Sequence, residues 1–259
     1  MKIGVTRIDI LDKKAFKTED YVAEERPLHV YVNQTYYATI FCTPAHLKEM
    51  AVGHLLTEGI VHCVDELDRV VLRKNGICRV WLKPNVEPEK RLRISRPFSR
   101  VILSACAGAN ASTLPITPTK IDSDLRVRAE TISECVRRLN VVAKIYRTTG
   151  GVHAAAIYQG DGNEVSFAED IGRHNAVDKS IGHAALGKRD FRSCFLALTG
   201  RLTGDIVLKA SKVGLPLVAS LAAAIDSGIE VARDAGLTLV GFVRGQRMNV
   251  YTSPERVLL

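Results

Sequence analysis

The sequence lacks the patterns that define several large classes of protein. No two of its six cysteines, at positions 42, 63, 78, 106, 135 and 194, are spaced as C-x-x-C, which excludes zinc ribbons and thioredoxin-type motifs. No apolar run is long enough to span a membrane, and the N-terminal residues lack the apolar core of a secretory signal. We therefore expect a soluble cytoplasmic protein with free thiols, five of the six being small buried side chains and Cys106 the exception.

Other absences narrow the chemistry. The sequence contains neither G-x-G-x-x-G nor the Walker spacing, so a dinucleotide fold and a P-loop are not indicated. His46, His54 and His62 have no paired carboxylates or cysteines at ligand spacing, so we expect no metal site. Basic residues do not form consecutive runs and have few aromatic neighbours, so nucleic-acid binding is weakly supported.

What is present indicates a globular protein with an anionic partner. The 259 residues allow one large domain or two medium ones, and 46% of them are hydrophobic. The formal net charge is +8 and the isoelectric point is near 9.2, a balance that suits nucleic acid, a membrane surface or a polyphosphate ligand.

The N-terminal part, residues 1–110, is predicted to be a strand-rich α+β domain. Residues 27–42 read as a strand pair, and residues 68–82 as a second hairpin that turns at Asn75-Gly76. Between them a helix is predicted to begin at Thr43, as its N-cap, and Pro44, and to stop at Gly59. Residues 92–103 look extended, and the small, polar loop that follows marks the domain boundary.

The C-terminal part, residues 111–259, alternates strands with helices. An amphipathic helix is predicted over residues 130–146, and strands over 150–158, 164–168, 194–199, 216–220, 237–243 and 248–252. This alternation predicts an α/β domain with a largely parallel sheet.

A polar cluster opens one helix of this part. Residues 169–182 include Arg173, His174, Asn175, Asp178 and Lys179, with apolar residues at helical spacing. Cationic side chains in a first helical turn are unfavourable, because the helix dipole is positive there. A bound anion among the free backbone N–H groups would compensate for this repulsion. The alternative is a solvated helix face.

Two loops and one cysteine could also carry chemistry. Residues 199–205 place Arg201 and hydroxyls at a helix entrance, and residues 243–247 present Arg244 and Arg247 after a strand. Guanidinium groups beyond the carboxyl ends of strands are suited to phosphate. Cys106 lies among Ala, Gly, Asn and Ser rather than in an apolar segment, so it is a candidate for an exposed, reactive thiol.

Residues 169–179 and 236–256 resemble the FdhD family, the sulfur-carrier accessory proteins of formate dehydrogenase maturation. The match extends to residues 149–155, to Pro27-Leu28 and to the helix that follows Thr43-Pro44. The resemblance covers nearly the whole chain, and the Gly-Arg-His-Asn-Ala-Val-Asp-Lys string at 172–179 is long and specific.

The resemblance implies a fold and an activity. The fold would be a cytidine-deaminase-like α/β domain with a smaller N-terminal α+β domain, usually as a homodimer. Such a sulfurtransferase takes persulfide sulfur from a cysteine desulfurase. It passes the sulfur to the molybdenum or tungsten of a bis(molybdopterin guanine dinucleotide) cofactor destined for the formate dehydrogenase catalytic subunit.

The resemblance also implies roles for individual residues. Cys106 would carry the sulfur, although the family's second loop cysteine is Ala109 here. A single persulfide on Cys106 remains sufficient for transfer. Arg173 and His174 would line the site, and His174 would adjust protonation of the sulfur because imidazole titrates near neutrality. The cofactor segment would be Phe242, Val243, Arg244, Gly245, Gln246 and Arg247, with Arg201 nearby.

Because Ala109 replaces the second loop cysteine, an alternative function remains: a chaperone that binds the cofactor, or another guanine nucleotide, without sulfur transfer. A zinc deaminase is excluded because H-x-E with P-C-x-x-C is absent. The segment 222–228 also departs from the family's usual sequence, so the resemblance does not determine the shape of the pocket there.

Overall fold

The chain forms two main β-sheets, one from its N-terminal part and one from its C-terminal part. The structure is a computed structural model that describes residues 1–92, 100–102 and 118–259. The strands are β1 (Lys2–Asp9), β2 (Lys14–Tyr21), β3 (Arg26–Val32), β4 (Thr35–Cys42), β5 (Leu67–Arg73), β6 (Ile77–Leu82), β7 (Arg100–Ile102), β8 (Val127–Arg128), β9 (His153–Gln159), β10 (Glu164–Asp170), β11 (Cys194–Leu198), β12 (Leu217–Ser220), β13 (Thr238–Arg244), β14 (Arg247–Thr252) and β15 (Val257–Leu258). The helices are α1 (Leu47–Thr57), α2 (Pro88–Leu92), α3 (Ala129–Val142), α4 (Lys144–Thr149), α5 (Arg173–Leu186), α6 (Gly204–Lys212) and α7 (Asp226–Ala235).

Strand pairing defines the two sheets. The N-terminal sheet has five strands in the order β5-β6-β3-β4-β7, and the C-terminal sheet has six in the order β10-β9-β11-β12-β13-β14. Two further pairs stand apart from them: β1 with β2, and β8 with β15.

The two hairpins predicted in the N-terminal part are confirmed. β3 pairs antiparallel with β4, and Asn33 and Gln34 form their turn with positive φ angles of 46° and 70°. β5 pairs antiparallel with β6, and Gly76 takes a φ of 73° at the tip. Both tips use residues that tolerate the left-handed region, so local sequence was sufficient to place them.

Two helix boundaries differ from the prediction. α1 begins at Leu47 rather than at Thr43, because the backbone N–H and hydroxyl of Thr43 are engaged by Asp170 and Ile171 of the C-terminal part. The helix predicted over 130–146 is two helices, α3 and α4, separated at Ala143, whose ψ of 90° is not helical.

The expectation of a largely parallel C-terminal sheet is wrong. Only the β11–β12 and β12–β13 pairs are parallel, whereas β9–β10, β9–β11 and β13–β14 are antiparallel. The outer strands return through short turns, at Asp161-Gly162 and at Gly245-Gln246, which are too short for a parallel crossover.

The elements are stacked in layers around a large core. α3 covers one face of the six-stranded sheet, and Ile132, Val136 and Leu139 pack there against Phe195. α5, α6 and α7 cover its other face, and α1 packs between α5 and the five-stranded sheet. A single hydrophobic cluster runs from the five-stranded sheet through α1 and α5 into the six-stranded sheet.

The coarse prediction of a mixed α/β chain with a strand-rich N-terminal part is confirmed. Cys106, Ala109 and the boundary placed at residue 110 lie outside the described residues, so the boundary stays a prediction. In the part of the chain that the structure describes, no helix is both long and apolar enough to cross a membrane.

Candidate functional site

Several loops meet at one edge of the six-stranded sheet. β10, β11, β12 and β13 end at this edge, and β9, which is antiparallel to β11, begins there. The N–H of Leu202 donates to the carbonyl of Ala223 at 3.0 Å, and the N–H of Phe242 donates to the carbonyl of Ala222 at 2.9 Å. These bonds tie the loops after β11, β12 and β13 into one unit, in which the loop after β12 lies between residues 199–205 and residues 242–247.

A cavity of about 450 Å³ opens at the same edge. It is bounded by the end of α3, by α4, by the Gly150-Gly151 segment and by the first residues of β9. The described lining residues do not include Arg173, His174, Arg201 or any residue of 242–247. Sequence reasoning missed the polar groups that do line it, Asn140, Tyr146 and His153, because they are brought together from three separate elements.

His153 and Thr199 form the polar floor of this cavity. The hydroxyl of Thr199 accepts a 3.0 Å hydrogen bond from the N–H of Ala154, and it lies 3.3 Å from Nδ1 of His153. Burial is the main cause that lowers the pKa of His153. The positive charges of Arg173 and, to a smaller extent, Arg201 lower this pKa further. The imidazole is therefore neutral at pH 7, and its surroundings favour an anion rather than a cation.

The segment 242–247 forms the tip of the β13–β14 hairpin beside the cavity. Phe242 has a φ of 50°, a strained conformation for an aromatic residue, and the bond from its N–H to Ala222 helps to hold it. Nε of Arg244 donates to the carbonyl of Leu221 at 2.8 Å, and the guanidinium group stacks 5.4 Å from the ring centre of Phe242. Arg244 and Arg247 are exposed, so both can reach a ligand.

Arg173 and Arg201 occupy the same edge at different depths. Arg173 is 7% exposed and opens α5 directly after β10, whereas Arg201 is exposed in the loop after β11. Gly200 allows the two segments to approach closely, because a Cβ atom there would lie 2.9 Å from Cβ of Arg173. Arg173 therefore contributes positive charge from beneath the site, and Arg201 contributes it from the surface.

His174 has a different environment from the one expected. It follows Arg173 on α5 and is half-buried. Its imidazole interacts electrostatically with Lys209 and Asp205 of α6. Burial, with Lys209 and Arg173, lowers its pKa to about 4. The expectation that His174 titrates near neutrality is wrong, because a protonated imidazole at this position would be buried beside two cations.

The next polar residues of α5 join the two halves of the chain rather than binding a ligand. Nζ of Lys179 lies 2.6 Å from a carboxylate oxygen of Asp170 and donates to the carbonyl of Thr43 at 2.8 Å. The side-chain amide of Asn175 donates to Asp170 at 3.0 Å and to the carbonyl of Phe41 at 2.9 Å. This cluster fixes the end of β4 against the start of α5.

A second buried cluster centres on Asp178, which lies between Asn175 and Lys179 on α5. Asp178 accepts hydrogen bonds from Nζ of Lys209 at 2.9 Å and from the hydroxyl of Thr57 at 2.8 Å, and it lies 3.1 Å from Nδ1 of His54. Asp178 and Lys179 are 1% and 0% exposed, so the reading of this segment as a solvated helix face is wrong.

Asp178 makes stability dependent on pH in the acidic range. Burial alone would raise its pKa, but Lys209 and the hydrogen bond with His54 outweigh burial and hold the pKa at about 2. Because the unfolded value is about 3.9, the stabilisation is fully present above pH 4 and is lost as the pH falls towards 2. We expect urea unfolding to show a loss between pH 4 and 2 of about 2 kcal/mol from this group.

The matched comparison for this pH effect uses Asp178→Asn and Asp234→Asn, since Asp234 is an exposed carboxylate on α7. Asp178→Asn should flatten the dependence between pH 4 and 2, and Asp234→Asn should leave it as in the wild type. Parallel pH curves for the wild type and Asp178→Asn would contradict the assignment.

The described cysteines differ in accessibility. Cys42, Cys78, Cys135 and Cys194 are buried, and burial raises the pKa of the first three to about 12. These thiols are therefore protonated and unreactive at neutral pH. Cys63 is exposed, so the expectation that every cysteine except Cys106 is buried is wrong at this one position.

The chain matches the FdhD/NarQ family model over residues 23–258. A relative from Sulfolobus acidocaldarius, named sulfur carrier protein FdhD, is 36% identical over 99% of this chain and 98% of its own length. A relative with the same name from Methanothermobacter thermautotrophicus is 34% identical over 96% of both chains. A crystal structure from Desulfotalea psychrophila, described as that of a formate dehydrogenase accessory protein, covers the whole chain with a TM-score of 0.79 at 24% identity, which shows that the fold is shared.

Proposed function

Because the chain belongs to the FdhD/NarQ family, we propose that it is a sulfur carrier, a sulfurtransferase that serves the maturation of formate dehydrogenase. The observation that supports this most directly is full-length similarity to proteins named sulfur carriers, at 36% identity over 99% of the chain for one of them. The cysteine inventory agrees, because burial leaves few thiols able to ionise at neutral pH.

In the proposed first step, the Cys106 thiolate attacks the outer sulfur of a persulfide on a cysteine desulfurase. A new S–S bond forms on Cys106 while the donor's S–S bond breaks, and the electron pair of the broken bond stays on the donor cysteine as a thiolate. The exchange needs no outside oxidant or reductant. It also needs no second thiol on this chain, so Ala109 is compatible with it.

In the second step the outer sulfur passes to the metal of a bis(molybdopterin guanine dinucleotide) cofactor, which is cargo rather than a resident group. Cleaving the persulfide bond to give sulfide takes two electrons, and a tetravalent molybdenum or tungsten supplies them by becoming hexavalent. The Cys106 thiolate is regenerated. The loaded cofactor then serves the catalytic subunit of formate dehydrogenase.

The loops at the sheet edge provide suitable groups for the anionic part of this cargo. Arg201, Arg244 and Arg247 are exposed there, and guanidinium groups bind phosphate in a bidentate manner. Phe242 holds the Arg244 guanidinium group over its ring, and its strained backbone is the kind of outlier that accompanies binding sites. Val243, Gly245 and Gln246 complete the segment, and Arg173, beneath the neighbouring loop at Gly200, adds positive charge to the same edge.

The proposal is tested by incubating the protein with a cysteine desulfurase and free cysteine and then measuring its intact mass. We expect an increase of one sulfur atom, mapped to Cys106 and absent from Cys106→Ser. Cys63→Ser is the matched control, because Cys63 is an exposed thiol that the proposal does not use, and this variant should load as the wild type does.

A specific observation favours one alternative, a cofactor-binding chaperone that moves no sulfur: Ala109 replaces the second cysteine of the family's loop. No added sulfur on the wild type, together with tight binding of a guanine nucleotide, would replace the carrier proposal with this one. Sulfur on Cys63 instead of Cys106 would reject the assignment of the carrier residue.

The finer features implied by the family resemblance enter as further proposals. We expect residues 111–259 to be similar to cytidine deaminases in topology, the protein to act in the cytoplasm, and two copies to form a homodimer. The cavity floored by His153 and Thr199 lies beside the cargo loops, so it is the place where part of the cofactor would be held.

A further inference from the structure

The outer face of the five-stranded sheet carries a continuous row of arginine and aromatic side chains. The guanidinium carbon of Arg69 lies 4.1 Å from the ring centre of Trp81, and that of Arg79 lies 5.2 Å from the ring centre of Tyr31. Tyr31 in turn packs edge-on against Tyr36 at 5.6 Å. The row therefore crosses four neighbouring strands, β5, β6, β3 and β4.

The register places these side chains on one face, opposite the core. Arg69 pairs with Trp81, Val71 with Arg79, and Arg73 with Ile77, whereas the intervening residues of β6, Cys78 and Val80, point into the core. α1 covers that inner face. Among the described residues no helix packs on the outer face, and its aromatic side chains are half-buried rather than covered.

None of the carboxylates whose side chains the structure describes pairs with the arginines of this face. In the described part of the chain, no Asp or Glu oxygen lies within ion-pair distance of Arg69, Arg73 or Arg79. Nε of Arg79 is buried and has no hydrogen-bond partner there. The segments 93–99 and 103–117 contain no acidic residue in sequence, so they hold no counter-charge either.

We propose that this arginine–aromatic face, defined by Arg69, Arg73, Arg79, Tyr31 and Trp81, is a docking surface for a carboxylate-rich surface of the protein that donates the sulfur. Interface cores are enriched in Trp, Tyr and Arg, and complementary charge gives such contacts their specificity and speed. The unpaired guanidinium groups supply one side of that complementarity, so the partner must supply the acidic side.

Two other occupants fit the face less well. A second copy of the chain would bring two positive faces together, which costs energy rather than gaining it. Single-stranded nucleic acid needs free ring faces on which bases stack, but guanidinium groups already lie over the rings of Trp81 and Tyr31.

The position of the face in the chain identifies the donor rather than the acceptor. β7 is one of the two edge strands of this sheet and pairs with β4, where the row ends, and Cys106 follows its last residue, Ile102, by four positions in the sequence. The cargo loops 199–205 and 242–247 belong instead to the six-stranded sheet. This assignment rests on the proposed function, in which a cysteine desulfurase loads Cys106.

The test compares Arg69→Glu/Arg73→Glu with Arg137→Glu/Arg138→Glu, a pair of exposed arginines on α3 that gives the same change in net charge. For each full-length variant, the Kd for the desulfurase is measured by calorimetry at low and at high salt. Loading of Cys106 is then followed by intact mass with two sulfur donors, the desulfurase with free cysteine and glutathione persulfide.

We expect Arg69→Glu/Arg73→Glu to weaken desulfurase binding and slow desulfurase-dependent loading by about tenfold or more, as loss of charge complementarity predicts. Loading from glutathione persulfide should stay within about twofold, because a small donor needs no docking surface. The α3 pair should behave as the wild type, and Arg69→Gln/Arg73→Gln should fall between the two.

Unchanged desulfurase binding in Arg69→Glu/Arg73→Glu would overturn the proposal, as would an equal loss with both donors. A change in oligomeric state would overturn it in favour of a copy of this chain, and loss of oligonucleotide binding in favour of nucleic acid. If the wild type binds the desulfurase but Cys106 loads from neither donor, the proposed function fails while the docking measurement still decides the surface.

Discussion

Asp178→Ala is expected to lower the free energy of unfolding by about 3–5 kcal/mol, the usual cost of leaving one partner of a buried ion pair uncompensated. Asp178 is 1% exposed, and Lys209 and Thr57 donate hydrogen bonds to it at 2.9 and 2.8 Å. Removal of the carboxylate leaves the Lys209 ammonium, which is 8% exposed, with the neutral hydroxyl of Thr57 at 2.9 Å and one more distant carboxylate, that of Glu58, at 3.5 Å. Urea unfolding at pH 7 measures the loss.

The matched comparison removes both partners. Asp178→Ala/Lys209→Met should recover a large part of the loss, because it leaves no buried charge without a partner. Asp234→Ala, at an exposed carboxylate on α7, should change stability by no more than about 0.5 kcal/mol. Additive losses in the double variant would contradict the view that the cost arises from an unpaired charge.

This role of Asp178 could not have been predicted from the sequence, and the reason is physical. The partners of Asp178, Lys179 and Asn175 include residues 124, 136 and 134 positions away. Local patterns gave the helix and its polar residues but carried no information on what those residues contact. The polarity of the segment is equally compatible with a ligand site and with a solvated helix face. At Asp178 and Lys179 both interpretations fail, because these side chains form buried ion pairs within the protein.

Local turn chemistry explains the parts that were predictable. Asn33, Gly76 and Gly162 adopt positive φ angles, and such residues mark hairpin tips in the sequence itself. Local turn residues do not determine the order of strands in a sheet, and for this reason the sheet was expected to be more parallel than it is. The strands on either side of Asp161-Gly162 and of Gly245-Gln246 were predicted, but the result, an antiparallel strand at each end of the sheet, depends on strand order.

Part of the candidate site could be predicted from local sequence, and part of it could not. The positions of Arg201, Arg244 and Arg247 were predictable because each follows a predicted strand, 194–199 or 237–243, and the carboxyl ends of neighbouring strands meet at one edge. The cavity floor of His153 and Thr199 was not predictable, because it depends on β9 running antiparallel to β11 and so beginning where β11 ends. His174 was given a near-neutral pKa because its neighbour Lys209 lies on another helix.

The contact between α1 and α5 carries the second large effect. The two helices cross at Gly53 and Gly182 with their backbones in direct contact. A Cβ atom on Gly182 would lie 1.9 Å from the backbone oxygen of Glu49, and one on Gly53 would lie 1.7 Å from that of Asp178. Backbone atoms cannot rotate away as a flexible side chain can, so any side chain here must push the helices apart.

Gly182→Ala is therefore expected to destabilise the protein by about 2–3 kcal/mol, near the upper end of the usual cost of overpacking. Helix propensity acts in the opposite direction, since alanine is favoured over glycine by about 1 kcal/mol inside a helix. Gly187→Ala, at the end of the same helix, is the control. Its φ is −77° and an added Cβ atom would meet its nearest neighbour at 3.4 Å, so its stability should stay close to that of the wild type.

Gly53→Ala/Gly182→Ala distinguishes a shared contact from two separate defects. Once one methyl group has separated α1 from α5, the second meets less resistance, so the combined loss should be smaller than the sum of the two single losses. Separation would also move the five-stranded sheet relative to the loops 199–205 and 242–247. Under the proposed function, we therefore expect the Gly182→Ala protein that remains folded to bind the desulfurase normally but to deliver sulfur to the cofactor more slowly. A more stable Gly182→Ala, as propensity alone predicts, would show that the crossing is not close-packed.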